Sequence, residues 1–220
     1  MSNLVKRILS SIVFVVLIIG PLFLSVRIAF SLYAILGLFT LNELMNLTQK
    51  TGSTPIKLLG AITYGLLVVL VYEWLFIESD HTHYLILALA ATTLATFFIE
   101  IFRQNANPFE SIATSLAAPG FTALSFLGIA YFFVYRDDLP SPWLTVSVFA
   151  LIWINDSAAY LVGRKIGKTK LFERLSPNKT IEGSLAGLVF AMLAGYCLSF
   201  IEGMPRWEIM ISFSLVCVLS

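Results

Sequence analysis

Long apolar runs, each ended by a short polar stretch, recur along the whole chain. A helix needs about 20 predominantly apolar residues to cross a bilayer. On that measure the runs predict spans at about 8–24, 28–46, 58–77, 84–102, 111–134, 142–162, 183–201 and 207 onward. Gly20-Pro21 and Thr51-Gly52-Ser53-Thr54-Pro55 are the plainest expected breaks between spans. Asn105–Pro108 and Leu139–Pro142 punctuate two later ones, and Pro119-Gly120 predicts a kink or break inside the fifth. The fold expected is an all-α polytopic transmembrane helix bundle of about eight spans, forming one integral-membrane domain over residues 1–220.

Composition supports this. Of 220 residues, 58% are hydrophobic and 12% charged, about half the charged fraction of a soluble domain. Mean hydropathy is +0.88. Eight spans would occupy about 160 residues, which leaves short loops and no room for a separate soluble domain. Cys197 and Cys217 lie in apolar runs without metal-ligand spacing and are expected to be small packing residues. The basic start and first apolar run lack a small-x-small cleavage site, so a retained helix is expected. The last run, Ile209–Leu219, has no closing polar flank, and the expectation is a truncated last span in a fragment of a longer protein.

Net charge is only +1, so the distribution of charge is more informative than its sum. With the N-terminus in the cytoplasm and sides alternating, the inner segments hold eleven cations. They are Lys6, Arg7, Lys50, Lys57, Arg103, Arg164, Lys165, Lys168, Lys170, Arg174 and Lys179. The outer segments hold three, Arg27, Arg136 and Arg206. The positive-inside rule then predicts a cytoplasmic N-terminus and a cytoplasmic basic loop at 163–180. His81 and His83 fall in an outer loop with Glu78 and Asp80, where a plain surface loop is expected rather than a metal site.

The candidate chemistry lies between Asn155 and Gly187. Asp156 follows the apolar run Val146–Ile154 and sits about 10 Å along the helix from Gly163, where the polar loop is expected to begin. A carboxylate at that depth costs a few kcal/mol unless it is paired, hydrated or metal-bound, so function is its default reading against a structural hydrogen bond. Asn155 is an adjacent neutral ligand or donor, and Ser157, Ala158 and Ala159 permit close approach of a helix or ligand. In the basic loop, anchoring near anionic headgroups accounts for Arg164 and Lys165. It does not account for Ser176-Pro177-Asn178-Lys179-Thr180, which sets a turn, an amide, a cation and a hydroxyl ahead of a helix start. Free N–H groups there suit phosphate oxygens, with a point charge from Lys179 and a hydroxyl from Thr180. Glu182 either complements the helix dipole or orients Lys179 or a metal-bound water. Gly163-x-x-x-Gly167-Lys168-Thr169 is one residue short of a phosphate-binding P-loop and follows an apolar helix rather than a strand. Asn178-Lys179-Thr180 and Asn46-Leu47-Thr48 match a glycosylation sequon but are placed on the inner side.

Asp-Ser-Ala-Ala-Tyr (156–160), a basic loop and Ser-Pro-Asn-Lys-Thr-x-Glu-Gly (176–183) resemble the phosphatidate cytidylyltransferase, or CDP-diacylglycerol synthase, family. The layout matches along the whole chain, with Asn42-Glu43-Leu44 where the family often has Glu-Trp; the specific motifs cover about 30 residues. The family's C-terminal signature, with its Lys-Asp pair, Gly-His-Gly-Gly turn and closing Asp-Arg-x-Asp, is absent, as the expected truncation requires. The resemblance implies transfer of CMP from CTP to phosphatidic acid, giving CDP-diacylglycerol and pyrophosphate, with a divalent metal, usually Mg²⁺. It implies Asp156 as a catalytic metal ligand or its orienter, and Lys179 as a catalytic and phosphate-holding cation. Asn178 would hold phosphate with it, supported by Ser176 and Thr180, and Glu182 belongs to the same substrate-binding run. Expected partners are CTP, phosphatidic acid in the bilayer and membrane lipids, without nucleic acid; a homodimer is compatible with the chain. Two rival readings are a CTP-dependent polyprenol or phytol kinase, which would release CDP, and a non-catalytic transporter or scaffold using Glu73, Glu100 and Asp156. Glu100 has an alternative partner in Arg103, one turn on. The lack of inverted repeats argues against transport.

Overall fold

The computed structural model describes residues 3–50, 52–77, 81–134, 142–173, 176–200, 211 and 215. Its elements are α1 (Asn3–Leu24), α2 (Val26–Lys50), α3 (Lys57–Phe76), α4 (Thr82–Phe102), α5 (Pro108–Val134), α6 (Pro142–Ile166), β1 (Lys170–Phe172), β2 (Ser176–Thr180) and α7 (Ile181–Leu198). Six of the helices, α2 to α7, are long and apolar enough to span a bilayer, and α1 adds a shorter apolar stretch, Val13–Leu24. The protein is a multi-pass integral membrane protein. Of the eighth span expected from 207 onward only residues 211 and 215 are described, and Cys217 lies outside the described residues.

Several boundaries differ from expectation. The break expected at Gly20-Pro21 falls instead at Ser25: Pro21 lies inside α1, and its carbonyl accepts from Ser25 N at 3.1 Å. Helix α5 also continues through Pro119, which is fully buried, although that residue has no N–H to give the ladder. The basic loop expected at 163–180 is mostly regular structure: α6 continues to Ile166 and a β-hairpin occupies much of the rest. Cys197, expected to pack, is exposed on α7.

The chain divides into two compact units, residues 1–137 and 138–220. In the first, α2 and α3 pack on α5 around Phe30, Leu41, Met45, Tyr64 and Leu127. Tyr64 Oη donates to Ala34 O at 3.0 Å, and Tyr33 Oη ties α2 to α1 by donating to Ile18 O at 2.6 Å. Many fully buried positions are hydroxyls, including Thr96, Ser111, Ser115 and Thr122, while Leu124 and Phe102 are 78% and 72% exposed. That inversion suits lipid as solvent: apolar side chains gain nothing by leaving hydrocarbon, and small polar residues allow close helix packing.

A buried polar knot closes one end of this unit. Glu100, 3% exposed, pairs with Arg103 Nη1 at 2.9 Å and accepts from Asn105 Nδ2 at 2.7 Å. Ser111 Oγ lies 3.1 Å from the Glu100 carboxylate and 2.8 Å from Thr54 O, to which Arg103 also donates at 2.9 Å. The knot therefore ties the α4–α5 turn to the α2–α3 connection, where Gly52 takes φ +103°.

The second unit is an α6–α7 pair joined by the hairpin. β1 and β2 are antiparallel, with Lys170 opposite Thr180 and Phe172 opposite Ser176, and an irregularity lies between these pairs. A two-stranded ribbon alone is marginal; this one is held at both ends by helices.

Candidate active site

The α6–α7 seam builds the site. Along it, Gly187 faces Asn155, Gly183 faces Ala159, and Gly163 faces Gly183 and Thr180, so the helices run antiparallel in four-residue steps. A Cβ at Gly183 would lie 2.6 Å from Ala159 O, and one at Gly187 would lie 2.9 Å from Asn155 O. Only glycine permits that spacing, and the small-residue pattern is the usual means by which membrane helices approach closely.

Thr180 is the N-cap of α7: its backbone is extended, and its Oγ1 accepts from Gly183 N at 3.2 Å. The same hydroxyl occupies the space a Cβ on Gly167 would need, 2.6 Å from Oγ1. The two glycines of the P-loop-like run, Gly163 and Gly167, thus serve packing against Thr180.

Where the C-terminal end of α6 meets the hairpin and the start of α7, a cavity of about 550 Å³ opens. That falls within the range of small-molecule sites, about 300–1,000 Å³. From α6 it takes Asn155, Asp156, Tyr160 and Arg164, and from β1 it takes Lys170. The β2–α7 junction contributes Asn178, Lys179, Thr180 and Ser184. Asp156 is exposed into this space, which accounts for a charge tolerated among apolar neighbours. Among the described residues it is the sole acid of the lining, against three cations, Arg164, Lys170 and Lys179. Among the described residues Asp156, Asn178 and Lys179 have no side-chain partner. Lys170 Nζ, by contrast, donates to Pro177 O at 2.5 Å and Arg164 Nη1 reaches Tyr160 Oη at 3.4 Å. A concave surface with that charge balance concentrates anions.

Of the residues singled out from sequence, the structure therefore brings Asp156, Asn178, Lys179 and Thr180 around one cavity. Ser176 and Glu182 are not in its lining. Glu182 points to the preceding turn, where its carboxylate accepts from Lys168 N at 3.1 Å and from Thr169 N at 3.1 and 3.2 Å. Tyr160, Arg164, Lys170 and Ser184 are additional lining residues. Positions 156, 160, 163, 164 and 167 follow a helical period from Asp156, a signal by which Tyr160 and Arg164 were recognisable. Among the described residues no cluster of three or more His, Cys, Asp or Glu side chains can hold a metal. Mg²⁺ does not require one: it is commonly held by one or two carboxylates, with water and substrate phosphate completing the shell. Asp156 with neighbouring amide oxygens fits that pattern.

A membrane-embedded helix pair presenting a cavity of this kind is suited to handling phosphate groups at a lipid surface. The sequence pattern of the cytidylyltransferase family matches residues 5–220, and the chain belongs to that family. It is 30% identical over 208 residues to a phosphatidate cytidylyltransferase of Bacillus subtilis (strain 168), covering 93% of this chain and 73% of the relative. It is 27% identical over 179 residues to the protein of the same name from Staphylococcus aureus (strain COL), covering 79% and 64%. With that of Staphylococcus haemolyticus (strain JCSC1435) it shares 27% over 191 residues, covering 84% and 68%. The chain thus spans about two thirds to three quarters of the length of these relatives.

Proposed function

We propose that the protein is a phosphatidate cytidylyltransferase and that the cavity at the α6–hairpin–α7 junction binds the reacting phosphates. A phosphate oxygen of phosphatidic acid forms a new bond to the α-phosphorus of CTP. The bond from that phosphorus to the bridging oxygen breaks, pyrophosphate leaves with its electron pair, and CDP-diacylglycerol results. Catalysis of phosphoryl-group chemistry rests on positioning and charge neutralisation. Here Lys179, on the strand leading into α7, and Asn178 hold phosphate oxygens. Lys170 and Arg164 add positive charge on the two other walls. A divalent metal such as Mg²⁺, held by Asp156, would neutralise charge on the phosphates when bound. Thr180 keeps the N-terminus of α7 in place through its cap, and Ser184 is a hydrogen-bonding side chain on the same wall.

The supporting observation is one cavity that gathers the sequence-distant Asp156 and Lys179, with one acid among three cations. The family and the names of its relatives select the nucleotide and the lipid. We place the N-terminus and the hairpin on the cytoplasmic side, on the eleven-to-three distribution of cations, so that the cavity meets CTP from the cytosol and phosphatidic acid from the bilayer. The test is binding of a fluorescent CTP analogue to detergent-solubilised protein with Mg²⁺. Displacement by CTP is expected; absence of saturable binding would refute the nucleotide assignment.

A further inference from the structure

We infer that Glu182 is a positioning residue: it clasps the Gly167–Thr169 turn onto the start of α7 and thereby fixes Lys170 on the cavity wall. The inference rests on the proposed function only for its kinetic arm.

The turn is the one irregular stretch between α6 and the hairpin. The Glu182 carboxylate accepts the N–H groups of both Lys168 and Thr169. The strands cross-link in the opposite sense as well, because Ile181 N donates to Thr169 O at 2.9 Å. Thr169 and the first turn of α7 are thus tied through donor and acceptor together. A charged acceptor makes such bonds markedly stronger than a neutral one. The clasp presses Gly167 against Thr180, where no Cβ fits, and it immediately precedes the Lys170–Thr180 pair of the hairpin. Lys170 reaches the cavity because this register is held. Glu182 itself is outside the lining, so it acts through Lys170 rather than on substrate. The same carboxylate also meets its own backbone N–H in the first turn of α7, so it complements the helix N-terminus as well, while Lys179 is not among its contacts.

The experiment compares wild type, Glu182→Ala and Glu182→Gln by amide hydrogen exchange in detergent and by steady-state kinetics. In Glu182→Ala, the peptide covering residues 166–171 should exchange about tenfold faster, as its N–H groups lose their acceptor, while the interior of α6 and α7 stays protected. KM for CTP should rise about tenfold with kcat within about threefold, the signature of lost binding rather than lost chemistry. Glu182→Gln keeps one neutral acceptor and should lie between wild type and Glu182→Ala on both measures. Unchanged exchange in Glu182→Ala would overturn the clasp. Equal loss of kcat in both variants, with the turn still protected, would overturn it too and place Glu182 on substrate or metal. If Glu182→Ala does not fold, the exchange of Glu182→Gln decides. A wild type without cytidylyl transfer would defeat the proposed function, while the exchange arm would still decide the clasp.

Discussion

Gly183 of α7 lies so close to Ala159 of α6 that a Cβ would stand 2.6 Å from the Ala159 carbonyl oxygen. Backbone occupies that space, and backbone cannot rotate away as a side chain can. Gly183→Ala should therefore destabilise the α6–α7 pair by about 1–3 kcal/mol, the usual range for overpacking. Gly65→Ala on α3 is the control, since nothing lies within 4 Å of its added methyl; the gain in helix propensity, up to about 1 kcal/mol, makes it neutral or stabilising. Thermal denaturation in detergent distinguishes the two. Equal melting temperatures would show that the seam tolerates more room than the geometry allows.

Among the described residues Asp156 is the sole carboxylate in the cavity lining. Asp156→Asn keeps its shape and removes its charge, so the fold should survive while most turnover is lost. Kinetics at saturating Mg²⁺ check this. Activity within about threefold of wild type, equivalent to about 0.7 kcal/mol in the barrier, would contradict a metal role.

Lys179 and Lys165 share the cytoplasmic side in the proposed topology, yet only Lys179 of the two lines the cavity. Lys179→Ala should depress kcat/KM by at least about tenfold, as loss of a charge-assisted phosphate contact implies. Lys165→Ala should leave it within about twofold at equal expression, as expected of a charge that only anchors the helix end. Equal effects would mean that the loop acts only as a diffuse positive field.

The Glu100 knot predicts a stability effect separate from catalysis. The Arg103 side chain is 35% exposed while Glu100 is buried, so removing Arg103 leaves a buried carboxylate with Asn105 and Ser111 as its remaining donors, at a cost of about 1–3 kcal/mol. Arg103→Leu should lower the melting temperature strongly, while Mg²⁺-dependent CTP affinity of the folded fraction stays unchanged. Loss of CTP affinity without loss of stability would contradict a purely structural knot. Glu100 is also unsuited to a transport path, because its oxygens are already engaged by Arg103, Asn105 and Ser111.

The spans were legible from the sequence because bilayer thickness and hydropathy together constrain their length, and the ends of α3 and α4 fell within two residues of expectation. Proline was the weaker signal. Pro21 and Pro119 are both accommodated within helices, where neighbouring helices can satisfy freed backbone groups. The hairpin was not legible: Ser176–Thr180 carries proline and turn-forming residues, and its strand geometry comes from pairing with Lys170–Phe172 rather than from propensity. Within the site, Asp156, Asn178, Lys179 and Thr180 were found because their chemistry is conspicuous near apolar runs. Arg164 is different: a cation at a helix end reads identically in sequence whether it faces lipid headgroups or a cavity. The motif groups Glu182 with the substrate-binding run, whereas the meeting of its oxygens with backbone N–H groups 13 and 14 residues earlier is a tertiary fact.

The most direct measurement of the central claim is product analysis with the protein in phosphatidate-containing vesicles, using CTP labelled at the α-phosphorus and Mg²⁺. The account predicts that label enters the lipid fraction as CDP-diacylglycerol with equimolar pyrophosphate in solution, and that Asp156→Asn and Lys179→Ala each abolish most of it. Label remaining in solution as CDP, with phosphate transferred to an isoprenoid alcohol supplied in parallel, would contradict it and identify a lipid kinase.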